Sequence, residues 1–416
     1  MRIAIAILAA LCAGTQADAG EPEISAVLHG LMQFDAAQYF QSASAHLLPA
    51  ANGPDLSDGS NFRRVYLGVQ GKALSVWSYN LNFDFGGSGG TEKDGHIQSA
   101  YVQYDGFSPL AVRVGAFAPP AGLEDSTSAQ DTLFLERAAP SDIVRNTAAG
   151  DGRDAASLIY TGERVFAALS YTGGKVGDGA VFDEQTALVG RASGVVHRDE
   201  DSVFVLSASA TRVLRAAGSA AGPRLLTLSV APELTVDSTG AKLIGTGALD
   251  IDSATEWGVE SAAEWKSFYA QAGYLRYGIA RHGAPALALG GWYAEASLVL
   301  TGEGRTYGKS SAAFAAPKPK SPLENGGWGA WELACRYSVV DLDQNAGPAG
   351  AAAPADGLRG GEQKIWTAGL NWYPDTVFKL ALDVQHVQIA RISGVAPYAD
   401  AGQTFDAISA RVQFSI

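Results

Sequence analysis

Apolar and polar residues alternate with a period of two from one end of this chain to the other. In Ala407–Ile416 the apolar Ile408, Ala410, Val412, Phe414 and Ile416 alternate with Ser409, Arg411, Gln413 and Ser415. Phe378, Leu380, Leu382 and Val384 alternate with Lys379, Asp383 and Gln385, and Trp77, Tyr79, Leu81 and Phe83 with Ser78, Asn80, Asn82 and Asp84. Successive strand residues point to opposite faces, so each segment has one apolar face and one wet face. A soluble sandwich can use this pattern. A closed wall whose outside meets lipid and whose inside meets water requires it all the way round.

Breaks at Gly, Asp, Asn, Ser and Pro divide the pattern into about sixteen predicted strands, each near the length of a tilted membrane strand. They fall near 24–40, 61–72, 75–86, 96–107, 109–117, 154–161, 163–172, 184–196, 202–212, 255–266, 267–277, 289–302, 327–338, 362–374, 376–392 and 403–416. Short turns at Ala73-Leu74, Gly162 and Pro374-Asp375 mark a periplasmic type of rim. Long Gly-rich connections at 41–60, 87–95, 118–153, 173–183, 213–254, 278–288, 339–361 and 393–402 belong to the outer rim. Gly302–Gly326, with its Pro317-Lys318-Pro319-Lys320 run, breaks this rule, because strand parity puts it on the short-turn rim. Either the strand count errs there or this turn is unusually large. Aromatic clusters at segment ends, such as Tyr101, Tyr104 and Phe107, or Trp366, Trp372 and Tyr373, look like interfacial girdles.

Met1–Ala19 combines Arg2, an apolar run and an A-x-A arrangement before Gly20, the signature of a cleaved secretory signal peptide. Cys12 lies inside the run, but bulky Leu11 before it is a poor lipidation context. Residues 20–416 are expected to form one barrel domain, with Cys335 alone and hence no internal disulfide. The most apolar later stretch, Ala284–Leu300, carries Pro285, Gly290-Gly291 and Glu295, so any membrane span must be made of strands. A net charge of −13 argues against nucleic-acid binding. It leaves an anion pathway open, because a local field can oppose the net charge.

Several blocks resemble the phosphate-selective porin O/P family. They are Phe62-Arg63-Arg64-Val65-Tyr66-Leu67-Gly68, Trp77-Ser78-Tyr79 with Asp84-Phe85, Gly122-Leu123-Glu124 with Leu135-Glu136-Arg137, and Leu300-Thr301-Gly302-Glu303. Two late blocks, Gly326–Leu333 with Arg336-Tyr337 and Trp366–Pro374, agree. The resemblance implies an all-β, sixteen-stranded antiparallel outer-membrane barrel, assembled as a homotrimer among outer-membrane lipid, through which small anions such as phosphate diffuse. It also implies that the third outer connection, here Ala118–Arg153, folds inward and narrows the lumen. The chain departs from the family in ending Ser415-Ile416 rather than in Phe.

An anion pore needs cations that face water, and arginine suits phosphate because its planar fork donates parallel hydrogen bonds. Candidates are Arg63, Arg64, Arg113, Arg137, Arg145, Arg276 and Arg336. Each could instead be a structural ion pair with a wall carboxylate such as Asp84 or Glu332. Val112 and Val114 flank Arg113 on the apolar face, which turns Arg113 to the lumen. The resemblance also implies lysines after Gly-Leu-Glu and an arginine-rich ladder, but this chain has Asp125 and Gln130 at the former and only Arg224 within Ala217–Val236. Glu124, Asp125, Asp131 and Glu136 make the third connection acidic, so phosphate preference is expected to be weakened or lost, leaving a general or differently selective diffusion porin as the alternative.

An enzyme is not expected. His29, His96, His197, His282 and His386 are scattered singly, with no G-x-S-x-G or H-E-x-x-H motif and no ligand spacing for a metal or cofactor. A secreted binding protein built as a sandwich is the remaining alternative, and it would extract without detergent.

Overall fold

A computed structural model of the protein describes residues 24–41, 55–87, 95–177, 183–218 and 222–416. The expected signal peptide lies outside them. Sixteen long strands form the wall. They are β1 (Val27–Phe40), β2 (Gly59–Ala73), β3 (Trp77–Asp84), β4 (His96–Phe107), β5 (Leu110–Ala116), β6 (Arg153–Thr161), β7 (Val165–Lys175) and β8 (Thr186–Arg198), followed by β9 (Ser202–Arg215), β10 (Leu249–Trp265), β11 (Phe268–Arg281), β12 (Leu287–Val299), β13 (Ala330–Gln344), β14 (Leu358–Tyr373), β15 (Phe378–Ala390) and β16 (Gln403–Ser415). Each pairs antiparallel with the next, and β16 closes on β1 from Leu31↔Ser415 to Phe40↔Asp406. Closure leaves no unpaired sheet edge.

Every predicted strand is present. The parity conflict resolves in favour of an unusually large turn, because residues 300–329 join β12 to β13 on the rim that carries both strand-wall ends. The wall inverts the burial of a soluble protein. On β15, Lys379, Ala381, Asp383 and Gln385 are buried while Phe378, Leu380, Leu382 and Val384 are exposed. No helix among the described residues is long and apolar enough to cross a membrane.

Strict alternation fails at one informative place. Gln33 pairs with Arg64 but Phe34 pairs with Phe62, so Arg63 is the extra residue of a β-bulge. Arg63 and Arg64 are consequently both buried, at 7% and 5% exposure, although they are neighbours in sequence.

Candidate ion pathway

The connection 117–152 is fastened to strands far from its own ends. Lys379 Nζ, Asn371 Nδ2 and Arg411 Nη1 donate to the carbonyls of Thr132, Leu133 and Leu135 at 2.6, 2.8 and 2.8 Å. The Leu135 amide donates to Asp383 at 2.9 Å and the Leu123 amide to Glu260 at 2.6 Å. The connection also contains a helix, α1 (Ala139–Ala148), that alternation cannot reveal. Pro140 suits its first turn, where the missing N–H costs nothing. Pro140 lies against β12, where a Cβ on Gly291 would come within 3.0 Å of its ring. The Tyr277 hydroxyl donates to the Pro140 carbonyl at 2.9 Å.

A second connection, 216–248, supplies the clamp for this helix. Glu233 accepts from the Ala139 amide at 2.7 Å, placing a carboxylate at the positive end of the helix dipole, and from Arg336 at 2.6 Å. The 300–329 connection supplies a floor. Arg305 binds Glu332 through two bonds of 2.8 and 3.0 Å and donates to the Asp131 carbonyl at 2.8 Å, while the Ala316 amide donates to Asp131 Oδ1 at 3.0 Å. Arg191 of β8 donates to the carbonyls of Ser311 and Ala312. Phe314 and Ala313 pack with Leu133, Phe134, Val203, Val205 and Tyr269 in one apolar cluster. These contacts fall on β8–β16.

Open space is left beside β1–β5. A cavity of about 640 Å³ is lined by His29, Gln70, Arg113, Ser310 and Ile416 near the rim of the chain ends. A second, of about 300 Å³, is lined by His96, Asp142, Lys175 and Lys242 nearer the opposite rim. Arg64, Arg137, Arg145 and Asp151 line both cavities, so three guanidiniums and one carboxylate stand where the two spaces meet.

The predicted residues separate into three groups. Arg63, Arg64, Arg113, Arg137 and Arg145 border these cavities. Arg336 does not, being 2% exposed and enclosed by Glu233 with Glu124 and Glu295 at 3.8 Å. Its shortest ion pair is therefore with a connection residue, with wall Glu295 farther off, and Glu332 is occupied by Arg305. Arg276 corrects the sequence expectation outright, since it shares the outward face of β11 with Phe268 and Tyr274.

The four acidic residues are largely neutralised. Glu136 takes both donors of Arg63 at 2.6 and 3.2 Å, with Arg64 and Arg411 at 3.6 and 3.5 Å. Asp125 lies 2.6 Å from Arg145, which also binds Asp151 at 2.7 Å. Glu124 accepts from the Ala138 amide at 2.8 Å, and Asp131 is held as described. Arg137 differs from its neighbours. It donates to the carbonyl of Thr127 at 2.7 Å and to those of Glu124 and Asp125 at 3.5 Å, with no carboxylate within ion-pair distance among the described residues. Burial, and then the charge of Arg145, press its pKa below the usual guanidinium value.

Several functional groups escaped the sequence reading. Arg411 stood in the wet phase of the last strand, and that phase was the available signal for its bidentate pair with Asp35 at 2.6 Å. Glu233 and Arg305 sit in connections and gave none.

The profile of the family described as "Phosphate-selective porin O and P" matches residues 44–416. Porin O of Pseudomonas aeruginosa is 28% identical over 347 residues, covering 78% of this chain and 76% of its own length. Among solved structures, the anion-selective porin from Comamonas acidovorans superposes with a TM-score of 0.54 at 11% identity, covering 95% of this chain and 100% of its own. In-vitro folded OmpT of Vibrio cholerae, in its trimer form, superposes with a TM-score of 0.53 at 9% identity, covering 94% and 99%. At such identities the structural likeness speaks for the fold alone. The family points to a channel rather than an enzyme and places the protein in the outer membrane. A closed sixteen-stranded wall, motifs running from β2 to β14 and a family profile over most of the chain lead to one conclusion: this protein belongs to the phosphate-selective porin O and P family of outer-membrane porins.

Proposed function

We propose that the protein conducts small anions, phosphate among them, along an off-centre path beside β1–β5, and that the connection 117–152 lies within the lumen and forms its narrowest part. The observation that carries this reading is Arg137, a buried guanidinium at the junction of both cavities that makes no direct ion pair among the described residues. Its planar fork can exchange water for an anion's oxygens. Arg113 extends the path toward the rim of the chain ends, held by Gln103 at 2.8 Å and by the Tyr101 ring at 4.3 Å rather than by an acid. Lys242 offers a charge near the other mouth.

The same geometry favours weak binding of phosphate over tight capture. Arg63 and Arg145 already spend their forks on Glu136, Asp125 and Asp151, so the number of donors left for a tetrahedral oxyanion is small. An ion that binds weakly leaves quickly, which suits conduction. Anions are thus preferred through local field, and phosphate is not singled out from chloride. The porin neighbours of the same fold include a trimer form. A homotrimer of this chain among outer-membrane lipid is accordingly part of the proposal.

The test is the reversal potential in a planar bilayer across a potassium chloride gradient, followed by phosphate titration. Anion selectivity that falls in Arg137→Gln, with little phosphate block of chloride current, is the expected result. Cation selectivity of the unaltered protein would overturn the reading, and strong block by submillimolar phosphate would overturn the weak-binding part alone.

A further inference from the structure

The outward face carries two aromatic arcs. Near the far rim, Trp257 and Tyr274 lie 6.0 Å apart, Trp292 and Tyr337 5.4 Å, and Tyr337 and Trp366 4.3 Å, with Tyr274 and Trp292 paired in register. Near the other rim stand Trp265, Phe268, Trp331 and Trp372. From Trp257 to Trp265 the strand climbs about 20 Å along the membrane normal at a tilt of roughly 45°, close to the height of a barrel's apolar band. The far arc therefore marks a head-group level.

At and just beyond this arc on β14–β16, Lys364 is paired with Glu362 at 2.6 Å and His386 is hydrogen-bonded to Asp406 at 2.7 Å. On β9–β12 the arrangement differs. Arg276 is level with Trp257, and Arg212 is level with Thr255 one pleat nearer the rim. Both face outward, and neither has a carboxylate within ion-pair distance among the described residues. Arg212 donates to the Thr255 hydroxyl, and Arg276 only to the Ala288 carbonyl at 3.4 Å. Arg276 lies flat across β12 because Gly290 has no side chain, and a Cβ there would come within 3.0 Å of its Cδ. Two strand spacings of roughly 4.8 Å set the two guanidinium-bearing strands about 10 Å apart.

Directly below these arginines the wall is concave. A groove of about 500 Å³ opens on the outward face, floored by Ala272 and Ala294 and walled by Leu206, Val259, Tyr274 and Trp292. Two cations at head-group level that no carboxylate pairs directly, Asp341 standing level with Arg276 but one strand beyond Gly290, lie above an apolar trough and match one kind of molecule. We infer that this face binds a phosphate-bearing acyl lipid of the outer leaflet, its anionic head group on Arg212 and Arg276 and an acyl chain in the groove. A second copy of this chain fits less well, because it would bury both guanidiniums in a subunit contact.

Native mass spectrometry of the detergent-purified protein with added lipid A tests this. The unaltered protein should retain lipid A and should not retain phosphatidylcholine to the same extent. Arg212→Gln with Arg276→Gln should retain roughly tenfold less, as expected for removal of two interfacial cations, while chloride conductance reports that the barrel is intact. Ala272→Leu, which fills the groove and keeps both arginines, should also retain less. Equal retention by the double variant, equal retention of dephosphorylated lipid A, or ready disulfide cross-linking between copies through Ala272→Cys would each overturn the inference.

Discussion

One extra residue in β2 decides how much charge reaches the passage. Without the bulge at Arg63, alternation would send one of the two adjacent arginines outward, and Glu136 would lose its bidentate partner. The remaining charged groups are of two kinds. Arg305 with Glu332 is structural, at 3% and 0% exposure, and lines neither of the two cavities. Arg305→Met should strand a buried carboxylate and cost about 3–5 kcal/mol of stability, with much of that recovered when Glu332→Leu is added. Denaturant unfolding of the lipid-embedded barrel would measure both. Asp142 belongs to the other kind. Burial, and then the charge of Glu136, raise its pKa above the usual aspartate range, against the pull of Arg137, Arg145 and Lys242. A carboxyl with a raised pKa takes up its proton before ordinary aspartates as pH falls, so the cavity it lines becomes more positive on mild acidification. Anion selectivity should rise over that range. Asp142→Asn should start from the higher value at neutral pH and show a flatter profile, and reversal potentials measured across pH would decide.

At the scale of elements, the strands were legible and the connections were not. A period of two is a local property, and a wall with different solvents on its two faces imposes it on every strand, so all sixteen could be placed from sequence. Arg113, which the phase assigns to the lumen, lines the larger cavity. Helix α1 was hidden because its ten residues sit inside an irregular connection and take their support from Glu233, nearly a hundred residues away in sequence. Arg276 was misplaced because charge was taken as a sign of water, whereas at head-group level a cation can face outward beside Trp257. The 300–329 connection holds the largest consequence at this scale. Replacing Arg305–Lys320 by a short Gly-Ser turn should raise single-channel conductance and reduce anion selectivity, because the floor that confines ions beside Arg113 and Arg137 is removed. A conductance unchanged by that replacement would show that the connection does not bound the path.

The whole molecule divides its interior unequally. Beside β1–β5 lie the polar cavities. On the opposite side the inward positions of β8–β13 include Val203, Val205, Tyr269, Tyr277 and Ala334, packed against residues of three connections. The net charge of −13 says little about conduction, since the charge that an ion meets at the junction is mainly that of arginine. Subunit number belongs to this scale too. Light scattering of the detergent-solubilised protein should return the mass of three chains, and a monomer that still conducts would separate assembly from transport.

The floor made by residues 300–329 also bears on how this sequence can change over time. Inward positions of a water-filled barrel are held polar by selection, but those above the floor answer to the packing rules of a globular core. Substitutions at Val205, Tyr269 and Tyr277 should be filtered by volume and hydrophobicity, and those at Gln70, Gln98 and Arg113 by solvation. A library scan of viability would then divide a single barrel wall into two mutational landscapes, with the boundary running lengthwise between strands rather than around the membrane.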